Sequence, residues 1–172
     1  MIKYILNIIL ILLANLVIAQ NCNTNGFVDW ETDVEILLYQ QPDEKGLLID
    51  KFTNDIKNEN ILVFAILDRT DDFFKVNISR AIDEENNIGW IKKSKYLQTY
   101  SRNYGDEPFV MFLLPDTASK KTVINKYISV PLIIIDCKEN WTKVFFKIKE
   151  EEYIGWVNKD NMLCPNPYTT CN

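Results

Sequence analysis

Histidine is absent from the 172 residues. Without it the chain cannot assemble a Ser-His-Asp or Cys-His nucleophile system, or a zinc site with imidazole ligands. Close cysteine pairs are absent as well. Cys22, Cys137, Cys164 and Cys171 are spread so widely that no Cys-x-x-Cys element is available to a metal cluster. There is no basic excess either: 19 Lys and Arg face 24 Asp and Glu, a net charge of −5. Nucleic-acid binding depends on a basic surface that releases counterions from phosphates, and this chain does not supply one. The same balance works against docking on anionic lipid. No segment sustains a helical apolar period, so little helix is expected.

One long apolar run is present, at the N-terminus. Lys3 precedes Ile5 to Ile18, and Val17 and Ala19 place small residues at the −3 and −1 positions of a cut after Ala19. Residues 1–19 therefore read as a secretory signal peptide. Asn7 and Asn15 interrupt the run, which is shorter than the ~20 residues that span a bilayer comfortably. No stable membrane anchor is expected after cleavage, and Cys22 lies too far past the cut to carry a lipid. The expected location is secreted, periplasmic or at the cell envelope. In such a compartment an even cysteine count reads as two disulfides. Four cysteines allow three pairings, and the sequence does not choose among them. The reading preferred here closes a short loop with Cys164–Cys171 and ties the N-terminus to the second half with Cys22–Cys137.

A phrase occurs twice in the remaining chain. Asp68, Phe73, Lys75 and Val76 recur as Asp136, Trp141, Lys143 and Val144, at an offset of 68. Ile88-Gly89-Trp90-Ile91 recurs as Ile154-Gly155-Trp156-Val157, at an offset of 66. A repeat of this length with a two-residue slip means two copies of one small module. Short apolar runs alternate with polar turns throughout, which is a strand signature. The resulting division is a polar N-terminal arm at 20–27, module one at 28–100 and a linker at 101–107. Module two follows at 108–165, with a tail at 166–172. Each module is small enough to be marginal alone. A substantial interface between them, reinforced by disulfides worth ~2–4 kcal/mol each, is therefore expected.

The ordered set of motifs resembles the bacterial SH3 (SH3b) domain family. It runs from a strand ending before a Pro-Asp turn, through a long polar loop and an apolar strand ending in Asp. Aromatic-x-Lys-Val and Gly-Trp-Ile/Val then follow in order. The resemblance covers 28–100 and 108–164, with Phe73 standing where the second copy has Trp141. It implies an all-β fold: two tandem five-stranded SH3-like barrels packed together, with little helix. It also implies a targeting or binding module for cell-wall peptides; no hydrolase domain accompanies it.

Strand alternation assigns the faces. Lys75 and Lys143 mark the wet face, so Val76, Val144, Ile91 and Val157 should point inward. Phe73, Trp141, Trp90 and Trp156 then lie on the outer face or its rim. An outward aromatic can cap the barrel, pack between modules or line a ligand groove. Large aromatics suit all three roles, because they bury ~150–250 Å² with few rotors to freeze. The candidate ligand-binding residues are Tyr39, Phe73 and Trp90 in module one. Those in module two are Leu114, Trp141, Tyr153 and Trp156.

The acidic tips Asp83-Glu84-Glu85 and Glu150-Glu151-Glu152 lack calcium-loop spacing and read as solvated turns. Asn77-Ile-Ser79 and Asn140-Trp-Thr142 match the glycosylation sequon; they are chance matches if the source is bacterial, as the resemblance implies. The expectation is a non-enzymatic module without metal or cofactor, whose partner is a cell-wall peptide, glycan-peptide or protein. The alternative is a structural or inhibitory partner of another exported envelope protein.

Overall fold

A computed structural model describes residues 21–82, 85–104 and 107–165, except for the side chains of Asp160 and Asn161. The expected signal peptide, two residues of the first acidic tip, part of the linker and the tail with Cys171 lie outside the described residues.

The described chain is all-β. Its strands are β1 (Thr24–Val28), β2 (Ile36–Tyr39), β3 (Leu48–Phe52), β4 (Leu62–Arg69), β5 (Phe73–Arg80), β6 (Asn87–Lys92) and β7 (Leu97–Ser101). They continue as β8 (Phe109–Phe112), β9 (Lys121–Ile124), β10 (Leu132–Lys138), β11 (Trp141–Ile148), β12 (Glu151–Asn158) and β13 (Leu163–Cys164). Among the described residues helix is confined to a 3₁₀ turn at Ile56–Asn58 and one turn at Lys159–Met162. The long polar loops are not structureless, since β2–β3 and β8–β9 are hairpins inside them.

The strands form one continuous antiparallel sheet rather than two separate ones. Its order is β3-β2-β6-β5-β4-β1-β7-β10-β11-β12-β8-β9, with β13 pairing to β7. Read outward from the middle, the two halves carry the same order. The duplicated phrase is thus duplicated in space. Even the bulge recurs, between Ile66 and Asp68 in β4 and between Ile134 and Asp136 in β10.

The middle of the sheet departs from the expected division. Thr24 to Phe27, expected within a polar arm, belong to the central strand Thr24–Val28, whose Phe27 and Val28 are fully buried. β1 lies between β4 and β7. At an offset of 73, β7 repeats these relations: it lies beside β10 and beside β13. Phe27 and Val28 pair with Gln98 and Leu97, as Tyr100 and Ser101 pair with Cys164 and Leu163. β7 is therefore the last strand of module one and the first strand of module two. The shared strand explains why the sheet does not break between the copies.

Contacts at this junction are close. A Cβ on Gly26 would lie 2.5 Å from the Gln98 carbonyl oxygen and 2.8 Å from Ile134 Cδ1, so only glycine lets these strands approach. Phe27 stacks on Tyr100 with ring centroids 5.2 Å apart. The buried hydroxyls of Thr24 and Thr142 share a hydrogen bond of 2.7 Å. Arg69 of module one meets Asp136 of module two at 2.7 Å, and Lys93 reaches the same carboxylate at 3.5 Å. Cys22 is disulfide-bonded to Cys137, one of the expected pairs. For the other pair, Cys164 is buried and Cys171 lies outside the described residues. The substantial interface expected between modules is thus built from backbone, apolar, ionic and covalent links together.

Two apolar cores flank the junction. One gathers Leu38, Phe74, Val76, Ile78 and Ile91, and includes Ile134 from module two. The other gathers Phe109, Met111, Val144, Phe146 and Val157. Val76, Val144, Ile91 and Val157 are all fully buried, as strand alternation requires.

Candidate ligand-binding face

The outer face of each half is organised by cross-strand pairs. In module one Lys75 lies opposite Trp90, and Trp90 opposite Tyr39. Tyr39 lies opposite Leu48 of the edge strand β3. In module two Lys143 lies opposite Trp156, Trp156 opposite Phe112, and Phe112 opposite Lys121 of β9. Residues directly opposite in a sheet share a face, so each module carries one lateral row of lysine, tryptophan and a second aromatic. Glycine underlies both rows. A Cβ on Gly89 would meet Leu38 Cγ at 2.7 Å, and one on Gly155 would meet Met111 Cβ at 2.9 Å. These glycines let β2 and β8 lie close against β6 and β12.

A third aromatic joins each row. Phe73 packs edge-on against Tyr39 with centroids 6.1 Å apart. Trp141 packs edge-on against Phe112 at 5.3 Å. Lys143 Nζ stands 5.9 Å from the Trp156 ring centroid, within range of a cation–π contact. The outward aromatics are not equally open. Tyr39, Phe73 and Trp156 are buried by their neighbours, whereas Trp90 and Trp141 are half-buried. Of the tryptophans in these clusters, one in each module is thus accessible. Ile88, two residues before Trp90, and Ile154, two residues before Trp156, are exposed at 56% and 61%.

Five of the seven candidate residues fall in these clusters: Tyr39, Phe73, Trp90, Trp141 and Trp156. Leu114 does not. It sits 57% exposed in the turn after β8, two residues beyond the row. Its place belongs to Phe112, which the sequence reading missed. The signal was available, because Tyr39-Gln-Gln-Pro42 aligns with Phe112-Leu-Leu-Pro115 at the offset of 73. Tyr153 also lies elsewhere. It alternates with Trp156 to the opposite face of β12 and stacks on Phe146 at 5.1 Å. Its hydroxyl donates to the Glu151 carboxylate, and this bond raises the phenol above its ordinary range.

Among the described residues no three His, Cys, Asp or Glu side chains come together in a way that could hold a metal ion. No described helix is long and apolar enough to cross a membrane. Compared with family models, with curated proteins and with solved structures, the chain finds no match.

Proposed function

We propose that the chain is an exported, non-enzymatic binding protein made of two SH3-like barrels that share β7. It recognises a cell-wall peptide or glycan-peptide through the outer aromatic rows. The observation that carries this reading is the repetition of lysine, tryptophan and a second aromatic on equivalent strands. Each row keeps one tryptophan half-open, Trp90 in one and Trp141 in the other, and carries an exposed isoleucine, Ile88 on β6 and Ile154 on β12. A half-exposed indole with a neighbouring cation and an aliphatic side chain offers a flat apolar contact and a positive charge to one ligand. Strand order supports the barrel assignment: in each half a three-strand meander is bordered on one side by a hairpin and on the other by the first and last strands.

Titration of the intrinsic tryptophan fluorescence with soluble cell-wall fragments tests the reading. Saturable quenching is expected, reduced in Trp90→Ala and again in Trp90→Ala/Trp141→Ala. An unchanged response in the double variant would remove the aromatic rows from the site.

Exposed leucines favour a second reading, in which the partner is another exported protein. Leu47 and Leu48 on one hairpin, with Leu113 and Leu114 on the other, are exposed at 38–67%. A single stoichiometric protein recovered from an envelope extract, with no response to wall fragments, would support that alternative.

A further inference from the structure

The hairpins that border the two rows carry different chemistry at matching positions. Leu113 N–H donates to the Lys120 carbonyl as Gln40 N–H donates to the Leu47 carbonyl. Lys121 lies opposite Phe112 as Leu48 lies opposite Tyr39. Lys120 and Lys121 of module two therefore stand where module one has Leu47 and Leu48. The row of module two has a lysine at each end: Lys143, Trp156, Phe112 and Lys121 in lateral order. The row of module one has a single lysine, Lys75, and ends on Leu48.

The amines of module two are available. None of Lys120, Lys121 and Lys143 forms an ion pair among the described residues. Lys120 and Lys121 are exposed, and Lys143 is half-buried beside Trp156. In module one, by contrast, Glu44 neutralises Lys92 and Glu35 neutralises Lys51. Lysine on an edge strand also discourages pairing with another sheet. β3 ends the sheet as β9 does, yet has leucine at both positions, so the frame does not require lysine there. Phe112 also walls a cleft of about 190 Å³, together with Ile154 and Lys120. That is less than the roughly 300 Å³ at which small-ligand pockets begin, and suits one aliphatic side chain.

We infer that the row of module two takes an acidic peptide, with a carboxylate toward each end and an aliphatic side chain between them. This ligand class rests on the aromatic rows being the binding face. Lys143 and Lys121 stand three strand spacings apart, roughly 14 Å along the sheet. In an extended peptide, side chains four residues apart share a face and lie roughly 13–14 Å apart. The side chain midway between them points the same way, toward Phe112 and Ile154. One carboxylate then meets each amine. A basic peptide would set like charges together. Module one offers one amine and a leucine, so it has no means to hold both carboxylates.

The test uses the full mature chain and residue-resolved NMR. The probes are N-acetyl-Glu-Ala-Val-Ala-Glu-amide and its counterpart with glutamine for both glutamates. The acidic peptide should shift the amides of Phe112 and Lys121 and the indole N–H of Trp156, and leave Trp90 in place. The neutral peptide should bind about fivefold more weakly. Lys121→Gln and Lys143→Gln should each weaken the acidic peptide about twofold. Added salt should weaken the acidic peptide more than the neutral one. The inference is overturned if the two peptides bind equally, or if the acidic one shifts Trp90 as strongly as Trp156. Unchanged binding to Lys121→Gln/Lys143→Gln overturns it as well. Self-association of the chain that the same double variant abolishes would make the acidic hairpin of another copy the occupant, and overturn the peptide. If neither peptide shifts a signal while cell-wall fragments shift Trp90 and Trp141, the ligand class fails and the binding face stands. If wall fragments also leave both rows unmoved, both fail.

Discussion

Module one and module two place the same three kinds of side chain on equivalent outer strands, and then surround them differently. In module one the tyrosine and phenylalanine are covered and the tryptophan of β6 is half-open. In module two the tryptophan of β12 is covered and that of β11 is half-open. Residues 31–55, around the β2–β3 hairpin, carry seven acidic and two basic side chains; residues 104–128 carry three of each. The comparison separates what the scaffold needs from what it leaves free. Inward valines, close-packed glycines and the bulge before each repeated aspartate are common to both halves. The surroundings of the aromatics vary, which is the pattern expected of two surfaces with different ligands on one frame.

The junction is where this comparison can be broken most severely. The Cys22–Cys137 bridge spans 115 residues and fastens the N-terminal end of module one to β10 of module two. Replacing both cysteines by serine should cost about 4–5 kcal/mol on a loop-entropy estimate. The loss should appear as a lower midpoint in urea that both halves share, read from tryptophans on each side. A loss confined to module one would show that the halves fold independently.

Two glycine substitutions sharpen the same contrast. Gly26→Ala drives a methyl group against the backbone of β7 and into Ile134 across the junction. Gly155→Ala meets Met111 Cβ at 2.9 Å and the Phe112 carbonyl oxygen at 3.2 Å within one module, a milder overlap than the 2.5 Å approach at Gly26. The first should cost about 2–4 kcal/mol in chemical denaturation and the second less. Equal costs would mean that the junction is no tighter than a module interior.

The repeated aspartates are a gentler probe. Asp68 and Asp136 each accept the next backbone N–H, at 2.8 and 3.0 Å. Asp136 additionally faces Arg69 and Lys93. Asparagine keeps an acceptor and removes the charge. Asp136→Asn should cost about 1–2 kcal/mol and Asp68→Asn about 0.5 or less. Similar losses would deny the junction its ionic component.

The smallest effect is in pH dependence. Burial lowers the Lys93 ammonium below its ordinary 10.5, with Asp136 opposing the shift. The unfolded chain therefore binds the proton more tightly than the folded one. The cost of burying this charge is fully present below the folded value and is relieved as pH rises toward 10.5. Stability measured across the alkaline range should rise slightly more steeply in the wild type than in Lys93→Met. Identical slopes would place Lys93 in water rather than at the junction.

Much of this architecture was legible because the repeat is local and its periodicity is simple. Val76 and Val144 each follow a lysine on the wet face, so alternation alone turns them inward. Phe73/Trp141 and Trp90/Trp156 followed from the same rule. β1 was not legible. Thr24, Asn25 and Gly26 are residues that favour turns, and the burial of Thr24 and Gly26 depends on Thr142, Gln98 and Phe64, far along the chain. The double role of β7 was hidden for a related reason: a strand's second edge leaves no mark in its own sequence. Tyr153 was misplaced because an aromatic two or three residues from a tryptophan looks adjacent until alternation is applied.

Ligand binding by the half-open tryptophans is tested most directly through the indole N–H signals of the chain's four tryptophans. On titration with soluble cell-wall fragments, the signals of Trp90 and Trp141 should shift and saturate, while that of Trp30 stays in place. Shifts at Trp30 alone, or none at any indole, would contradict the assignment of the aromatic rows as the binding face.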